Sequence, residues 1–335
     1  MVPFAIAGIQ MSVSAHHSNL EAMQHRLDTL MAIYPWVQMV MFSELCACGP
    51  LTHTAEPLPG PSEEAFQRMA KKHGIWLLPG SIFERRGERI YNTASVINPS
   101  GEVIGRYSKM FPFRPYEQGV SDGEEFLVFD VPYVGRFGVS ICYDMWFPET
   151  SRTLAVMGAE VLLHPSLTGT IDRDIELAIA KSTAAINQCF VFDINGLAAG
   201  GHGRSIVCGP RGGAIYQAGG GEEFIPIEID LERVRRTRQL GVLSLGQTLK
   251  SFRDRKVHFS IYQANSLTPF LDSLGPLEKP ARNQPEHYER YQNAPQNITY
   301  PSHITPLQPA PSTQQSASQD VKPMPALLHQ LPESE

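Results

Sequence analysis

The chain has 335 residues, of which 42% are hydrophobic and 19% are charged. This composition is typical of a globular protein with enough apolar side chains for a sizeable core, arranged as one large domain or as two fused halves. The net charge of −6 and the pI near 6.0 indicate no basic surface, which argues against nucleic acid or an anionic membrane as a partner.

The N-terminus lacks the basic segment and apolar core of a secretory signal peptide, and no apolar run approaches the roughly 18 residues that a membrane span needs. The five cysteines are odd in number, and their spread does not suggest a disulfide framework. We therefore expect a cytoplasmic protein with reduced cysteines.

The first third of the chain alternates strands with helices. Apolar runs predict three buried strands, at residues 4–11, 37–42 and 75–83. Helical spacing of apolar residues predicts two helices between them, at residues 20–31 and 62–70. Ser62 is a suitable N-cap for the second helix, and Gly74 is suited to end it. The order β-α-β-α-β indicates a sheet with helices packed on it.

The rest of the folded region repeats this alternation after a hairpin and a loop. The hairpin is predicted at residues 91–107 and the loop at 109–125. Further strands are predicted at residues 126–131, 137–141, 161–164, 190–194 and 224–229. Two helices are predicted, at residues 148–158 and 172–188. Along one face the longer helix carries Ile175, Ala178, Ile179, Ser182 and Ile186.

A weak internal repeat relates the two parts. Residues 96–104 resemble residues 207–215, and both stretches are predicted hairpins with a Pro-x-Gly turn that follow a βαβ run. Such turns are common, so coincidence is the alternative. A genuine repeat predicts two similar halves whose sheets pack face to face with helices outside.

The character of the chain changes after about residue 265. The remainder is rich in Pro, Gln and Ser and lacks sustained periodicity. We therefore predict a folded domain over residues 1–264. For residues 265–335 we predict an extended tail, either partly disordered or lying on a partner subunit.

Cys142 stands where a buried strand meets a helix. The apolar run at 137–141 ends at this cysteine, and Pro148 and Glu149 suit the first turn of the helix that follows. Strand ends that face helix N-termini are where open α/β sheets bind their ligands. The pattern alone leaves two interpretations open, a nucleophile or a buried core cysteine.

Three further polar residues follow predicted strands or lie in loops. Glu44 comes just after the buried strand at 37–42, where poor solvation should raise its pKa toward that of a working general base. Lys109 is flanked by apolar residues, and Glu117 lies in the loop beyond it. Taken singly, each is equally compatible with a surface role.

Three motifs occur in a fixed order, Phe42-Ser43-Glu44, Tyr107-Ser108-Lys109 and Cys142-Tyr143-Asp144. Over residues 4–262 the chain resembles the carbon–nitrogen hydrolase (nitrilase) superfamily. The resemblance implies an α/β fold, a four-layer α-β-β-α sandwich of two pseudo-symmetric halves. It also implies a homodimer or a larger homo-oligomer.

The resemblance also implies the role of each motif residue. Cys142 is expected to be the nucleophile and Glu44 its general base. Lys109 and the backbone N–H of Tyr143 are expected to stabilise the oxyanion. A neighbouring ammonium is expected to lower the pKa of the thiol. The acyl group would pass through a thioester and leave as an acid, with no metal and no organic cofactor.

The family's second glutamate matches Glu117, which is expected to be a catalytic residue that positions the substrate and assists proton transfer. The stretch that ends at Glu117 and the Cys-Tyr-Asp motif resemble the amidase branches more than true nitrilases. We therefore expect an amidase acting on a small-molecule amide, with an N-carbamoyl amidohydrolase or a nitrilase as the alternative. Tyr116, Trp146 and Ser166 are predicted substrate contacts because they lie close to the motifs.

Other patterns compete with this interpretation. Cys46 and Cys48 could bind a metal but have no second pair with matching spacing. The glycine-rich stretch at 200–204 imitates a nucleotide loop, yet a predicted strand follows it rather than a helix. His164 follows a strand and allows a Cys–His hydrolase, in which replacing His164, and not Lys109, would abolish turnover. A non-catalytic binding scaffold is the alternative from another class.

Overall fold

The structure, a computed structural model, describes residues 1–114, 116–263 and 268–277. Residues 1–258 belong to the larger of two compact units, and residues 259–263 and 268–276 belong to the smaller one. The smaller unit contains a 3₁₀ turn, Ser260–Tyr262, and one short helix. The predicted tail at 265–335 lies mostly outside the described residues, so the domain boundary stays a prediction.

The secondary structure follows the predicted order. The strands of the first half are β1 (Pro3–Gln10), β2 (Met39–Phe42), β3 (Trp76–Leu78), β4 (Ile82–Arg86), β5 (Arg89–Ile97) and β6 (Val103–Ser108). Its helices are α1 (Leu20–Ile33) and α2 (Pro61–His73). The later strands are β7 (Leu127–Val131), β8 (Gly135–Val139), β9 (Val161–Ser166), β10 (Phe190–Asn195), β11 (Leu197–Ala198), β12 (Gly201–His202), β13 (Ile206–Cys208), β14 (Ala214–Gln217) and β15 (Glu223–Asp230). The later helices are α3 (Pro148–Val156), α4 (Thr170–Asn187), α5 (Glu232–Leu240), α6 (Thr248–Arg253) and α7 (Pro269–Ser273).

The two main sheets have equivalent topologies. The first has the order β15-β1-β2-β3-β5-β4 with β6 paired to β5, and the second has the order β14-β13-β10-β9-β8-β7. In each sheet three parallel strands are followed by an antiparallel hairpin. Each hairpin carries a register shift, at Val96/Ile97 and at Val207/Cys208, which are matched positions of the sequence repeat. The internal repeat is therefore visible in the backbone.

Three apolar clusters separate four layers. One contains residues of both sheets, such as Ile6 and Met41 from the first and Val139 and Leu163 from the second. A second cluster packs α1 and α2 against the outer face of the first sheet. A third packs α3 and α4 against the second sheet. The predicted α-β-β-α sandwich is confirmed, and the burial of apolar side chains between its layers stabilises it.

The strand predicted at 75–83 is wrong in one respect, because the chain breaks it into β3 and β4. Between them Gly80 has a φ of +82°, a conformation that glycine adopts without steric cost. A Cβ at this position would lie 1.8 Å from the carbonyl oxygen of Ser43. The break therefore brings the backbone of residue 80 against the end of β2, next to Glu44.

The predicted apolar face of α4 is also wrong. Ile175 is 48% exposed, whereas Arg173 and Glu176 are buried. The helix can bury these charges because Arg173 lies 2.8 Å from Asp193 and 3.2 Å from Glu176. Paired charges are tolerated in a protein interior where single ones are not, and spacing does not reveal pairing.

We expect Gly80→Ala to destabilise the protein. An added Cβ meets backbone rather than a flexible side chain, and overpacking of this kind costs about 1–3 kcal/mol. Gly87→Ala is the matched control, because Gly87 also has a positive φ, +61°, but no atom within 4 Å of the added Cβ. Urea denaturation should give a lower free energy of unfolding for Gly80→Ala than for Gly87→Ala. Equal values would show that close packing at residue 80 is unimportant.

Candidate active site

Glu44 lies at the point where the two sheets meet. It follows β2, whose four residues are buried, and is itself only 3% exposed. Its backbone N–H donates to the carbonyl oxygen of Ser166, at the end of β9, over 3.2 Å. The ends of two equivalent strands, one from each sheet, are thus joined at this residue.

Lys109 joins Glu44 to Glu117. Its Nζ lies 2.8 Å from Oε1 of Glu44 and 2.6 Å from Oε2 of Glu117. The lysine is 1% exposed, so its charge is compensated by carboxylates rather than by water. The structure therefore brings together three of the residues singled out from the sequence.

Asn92 completes this group and was missed by the sequence analysis. Its Nδ2 donates to Glu44 over 2.8 Å and to Glu117 over 2.9 Å. Its backbone carbonyl oxygen accepts from the backbone N–H of Lys109 over 2.8 Å. The available signal was a polar residue near the start of the predicted hairpin at 91–107, because a buried strand rarely carries an amide without a partner.

Cys142 has a left-handed backbone, with a φ of +47°, which is strained for a residue other than glycine. It opens a 3₁₀ turn, Cys142–Trp146, rather than the helix itself. Asp144 holds this turn, because its carboxylate accepts from the N–H groups of Ile141 and Phe111, both over 2.9 Å. The Tyr107 hydroxyl donates to the same carboxylate over 2.7 Å. Burial raises the pKa of Asp144 to about 6.

The Cys142 side chain faces the Glu44–Lys109 pair. Its thiol is close enough to the Glu44 carboxylate for each group to shift the pKa of the other, and the backbone N–H of Leu167 lowers the pKa of the thiol. Burial and the charge of Glu44 raise the pKa of the thiol well above its usual value, although Lys109 acts in the opposite direction. The expected lowering of this pKa by Lys109 is therefore present but outweighed, and the cysteine rests as a thiol.

The two carboxylates beside Lys109 differ in proton affinity. Burial raises the pKa of Glu44 above its usual value, and Glu117 adds to this effect. Burial also opposes ionisation of Glu117, but Lys109 and donors such as the N–H of Phe113 outweigh it and lower its pKa. Carboxylates whose environments separate their pKa values are typical of acid–base pairs. Here Glu44 is the stronger base.

The His164 ring has Ser140 and the backbone of Cys142 as its partners. Its Nδ1 lies 2.8 Å from the Ser140 hydroxyl, and the ring also bonds the backbone of Cys142. Burial lowers the pKa of the imidazole to about 4. The ring is therefore neutral near pH 7 and serves to hold the turn, which disfavours a Cys–His pair.

The predicted substrate contacts have different surroundings. Tyr116 is 66% exposed and stacks on Phe113 at 5.4 Å between ring centroids. Trp146 is half-buried and its Nε1 lies 3.2 Å from Oε1 of Glu176. Ser166 is buried and its hydroxyl donates to Asp193 over 2.9 Å, so its side chain links β9 to β10. Their contact with a substrate stays a prediction.

Within the described ranges no three His, Cys, Asp or Glu side chains are grouped as metal ligands. Burial raises the pKa of Cys46 to about 12 and also raises that of Cys48, so both are neutral thiols. Among the residues that the structure describes, no helix is long and apolar enough to cross a membrane.

Comparison with known proteins agrees with this geometry. The family model for carbon–nitrogen hydrolases matches residues 5–239. The chain is 32% identical to the omega-amidase NIT3 of Saccharomyces cerevisiae, over 60% of this chain and 74% of the yeast protein. It is 32% identical to the omega-amidase NIT2 of Homo sapiens, over 55% of this chain and 72% of the human protein.

The solved structures give the same answer for the fold. The crystal structure of S. cerevisiae Nit3, a member of branch 10 of the nitrilase superfamily, superposes with a TM-score of 0.65 at 29% identity, covering 71% of this chain and 93% of Nit3. A carbon–nitrogen hydrolase from Helicobacter pylori gives a TM-score of 0.66 at 22% identity, covering 76% of this chain and 96% of that protein. The match of sequence, fold and motif order leads to one conclusion: the chain belongs to the carbon–nitrogen hydrolase family and is a hydrolase of non-peptide carbon–nitrogen bonds.

Proposed function

We propose that this hydrolase is an amidase that converts a small-molecule amide to a carboxylic acid and ammonia, with Cys142 as its nucleophile. The observation that supports the assignment best is the arrangement of the Cys142 thiol, the Glu44 carboxylate and the Lys109 ammonium. The thiol and the Glu44 carboxyl shift each other's pKa, and Glu44 lies 2.8 Å from Lys109. A nucleophile, a base and a cation are therefore adjacent in space, in that order.

In the proposed acylation step the sulfur of Cys142 attacks the amide carbon while its proton moves to Glu44. The transfer must accompany attack, because the raised pKa of the thiol leaves little thiolate at rest. The carbonyl oxygen becomes an oxyanion, which Lys109 and the N–H of Tyr143 stabilise. The Tyr143 N–H is suited to this role since the first N–H groups of a helical turn lack carbonyl partners within it.

The tetrahedral intermediate then collapses with cleavage of the carbon–nitrogen bond. Glu44 returns the proton to the leaving nitrogen, ammonia departs, and the acyl group remains on sulfur as a thioester. Water attacks the thioester, Glu44 accepts its proton, and the acid leaves as the thiol is restored. Glu117, with its lowered pKa, keeps Lys109 in place and positions the substrate amide.

The burial of the group favours a small substrate. Cys142 is 5% exposed and Lys109 is 1% exposed, so a large acyl or amine group would have to displace protein atoms. The relatives named omega-amidases support an amide over a nitrile. A carbamoyl compound or a nitrile would use the same nucleophile and remains the alternative substrate class.

We also propose a homodimer or larger homo-oligomer in the cytoplasm. The outer helices of the second half carry exposed apolar side chains, among them Val156 on α3 and Ile171 on α4, at 61% and 88% exposure. Covering such residues with a second copy would remove apolar surface from water. All five cysteines are free, which is typical of a reducing compartment.

Cys142→Ala should abolish ammonia release while the fold remains intact. Losing the nucleophile removes the covalent route, and the loss in kcat should be about 10⁴-fold or more. The measurement is ammonia release from a panel of amides, carbamoyl compounds and nitriles, with circular dichroism to check folding. Cys208→Ala is the control, because it removes a buried thiol from β13, outside the group around Glu44. Turnover near the wild-type rate in Cys142→Ala would exclude the mechanism.

Replacement of Lys109 and of His164 separates the two cysteine mechanisms. Lys109→Ala should lower kcat by about 10²–10³-fold, the usual effect of losing an oxyanion donor. His164→Gln should retain most of kcat, since the ring bonds Ser140 and the Cys142 backbone rather than the sulfur. Steady-state kinetics of the two variants on one amide distinguishes the two mechanisms. The opposite result, with His164 essential and Lys109 dispensable, would favour the Cys–His hydrolase.

The activity should have an acidic limb controlled by Glu44. The carboxylate must be ionised to accept the thiol proton, and its pKa is raised, so kcat/KM should fall as the pH decreases through that raised value. Asp144, with a pKa of about 6, is the competing source of such a limb. The pH profile of Asp144→Asn should keep the acidic limb at a lower overall rate. A profile that becomes flat in this variant would assign the limb to Asp144 instead.

A further inference from the structure

A second buried carboxylate lies near Cys142 and is not used by the proposed mechanism. Glu176 on α4 is 3% exposed. Its Oε1 accepts from the indole N–H of Trp146 over 3.2 Å, and its Oε2 accepts from the Thr168 hydroxyl over 2.5 Å. Thr168 is next to Leu167, whose N–H lowers the pKa of the Cys142 thiol. The charge of Glu176 also contributes to the raised pKa of the Cys142 thiol.

The cations near this carboxylate are already occupied. Arg173 lies 2.8 Å from Asp193 and 3.2 Å from Glu176, and its Nη2 donates to the carbonyl oxygen of Arg204 over 2.8 Å. Lys109 is held between two carboxylates in the same way. In these two ion-pair groups two cations face four carboxylates, so the side chains near Cys142 favour positive charge.

Further aromatic rings lie next to Trp146. Tyr143 and Trp146 are half-buried, with ring centroids 5.8 Å apart, and Phe113 lies 4.9 Å from Tyr143. Aromatic faces beside a carboxylate recognise a cation or an N–H donor, whereas carboxylate ligands are usually held by arginine forks. A carboxylate oxygen has two lone pairs, so Oε1 of Glu176 can accept one hydrogen bond beyond that of Trp146.

We propose that Glu176 and Trp146 form the subsite for the acyl end of the substrate, and that this subsite takes an ammonium or a neutral group and rejects a carboxylate. The substrate is then a neutral or amino-substituted amide rather than the monoamide of a dicarboxylic acid. The inference rests on the proposed amidase function, because it interprets the group next to Cys142 as the place of an acyl chain.

Binding to Cys142→Ala tests the subsite without relying on turnover. Three probes share one skeleton and differ at the far end: β-alaninamide has an ammonium, butyramide a methyl group and succinamic acid a carboxylate. Isothermal titration at neutral pH should show the first two binding at least about tenfold more tightly than the third, since a like charge close to a partly buried carboxylate is repelled. The proposal would be overturned if succinamic acid bound most tightly. It would also be overturned if none of the three probes bound with a Kd of millimolar or below.

A charge change at Glu176 tests its part directly. In the Cys142→Ala background, Glu176→Gln should reduce the preference for β-alaninamide over succinamic acid by about tenfold. Asp174→Asn is the matched control, since it removes the same charge from an exposed position of α4, where the side chain is 78% exposed and paired with Arg204; the preference should not change. An unchanged preference in Glu176→Gln would show that Glu176 is not part of the subsite. Wild-type turnover of the same probes tests the amidase function separately. Binding in the predicted order without hydrolysis would contradict the amidase function and leave the subsite proposal intact.

Discussion

The candidate site depends on one buried ammonium. Lys109 is almost fully removed from water, and an ionised amine in such a place is stable only when carboxylates surround it closely. Glu44 and Glu117 do so at 2.8 and 2.6 Å, and Asn92 bonds both. The cation therefore fixes two carboxylates whose own repulsion would otherwise separate them. It also leaves them with unequal proton affinities, which the proposed chemistry uses.

The duplicated architecture explains how this group meets its nucleophile. The first sheet supplies Glu44 after β2 and Asn92 within β5, and Lys109 directly follows β6. The second sheet supplies Cys142 shortly after β8. Face-to-face packing of the sheets places these strand ends together, and the hydrogen bond from Glu44 to Ser166 joins the equivalent strands β2 and β9. The site is thus shared between two halves of similar topology that carry different side chains.

The sequence was sufficient to predict the site residues that follow strands. The runs before Glu44 and Cys142 are mostly apolar, so strand ends could be placed, and the order of the motifs indicated the roles of these residues. The roles of Asn92, Asp144 and Glu176 could not be found in this way, although Asp144 stands within the cysteine motif. Each is polar within a strand, turn or helix, and its burial depends on a partner distant in the chain. Periodicity indicates where apolar side chains recur but not which charges pair. For this reason the prediction of the buried face of α4 was wrong.

The last strand of the first sheet has a consequence for biosynthesis. β15 pairs with β1 along eight residues, from Pro3 with Asp230 to Gln10 with Glu223. On the ribosome, β1 emerges more than two hundred residues before its partner. Throughout that interval an apolar strand has an unpaired edge, a state prone to pairing with other chains. Residues 223–230 must therefore be synthesised before this edge of β1 can pair with β15.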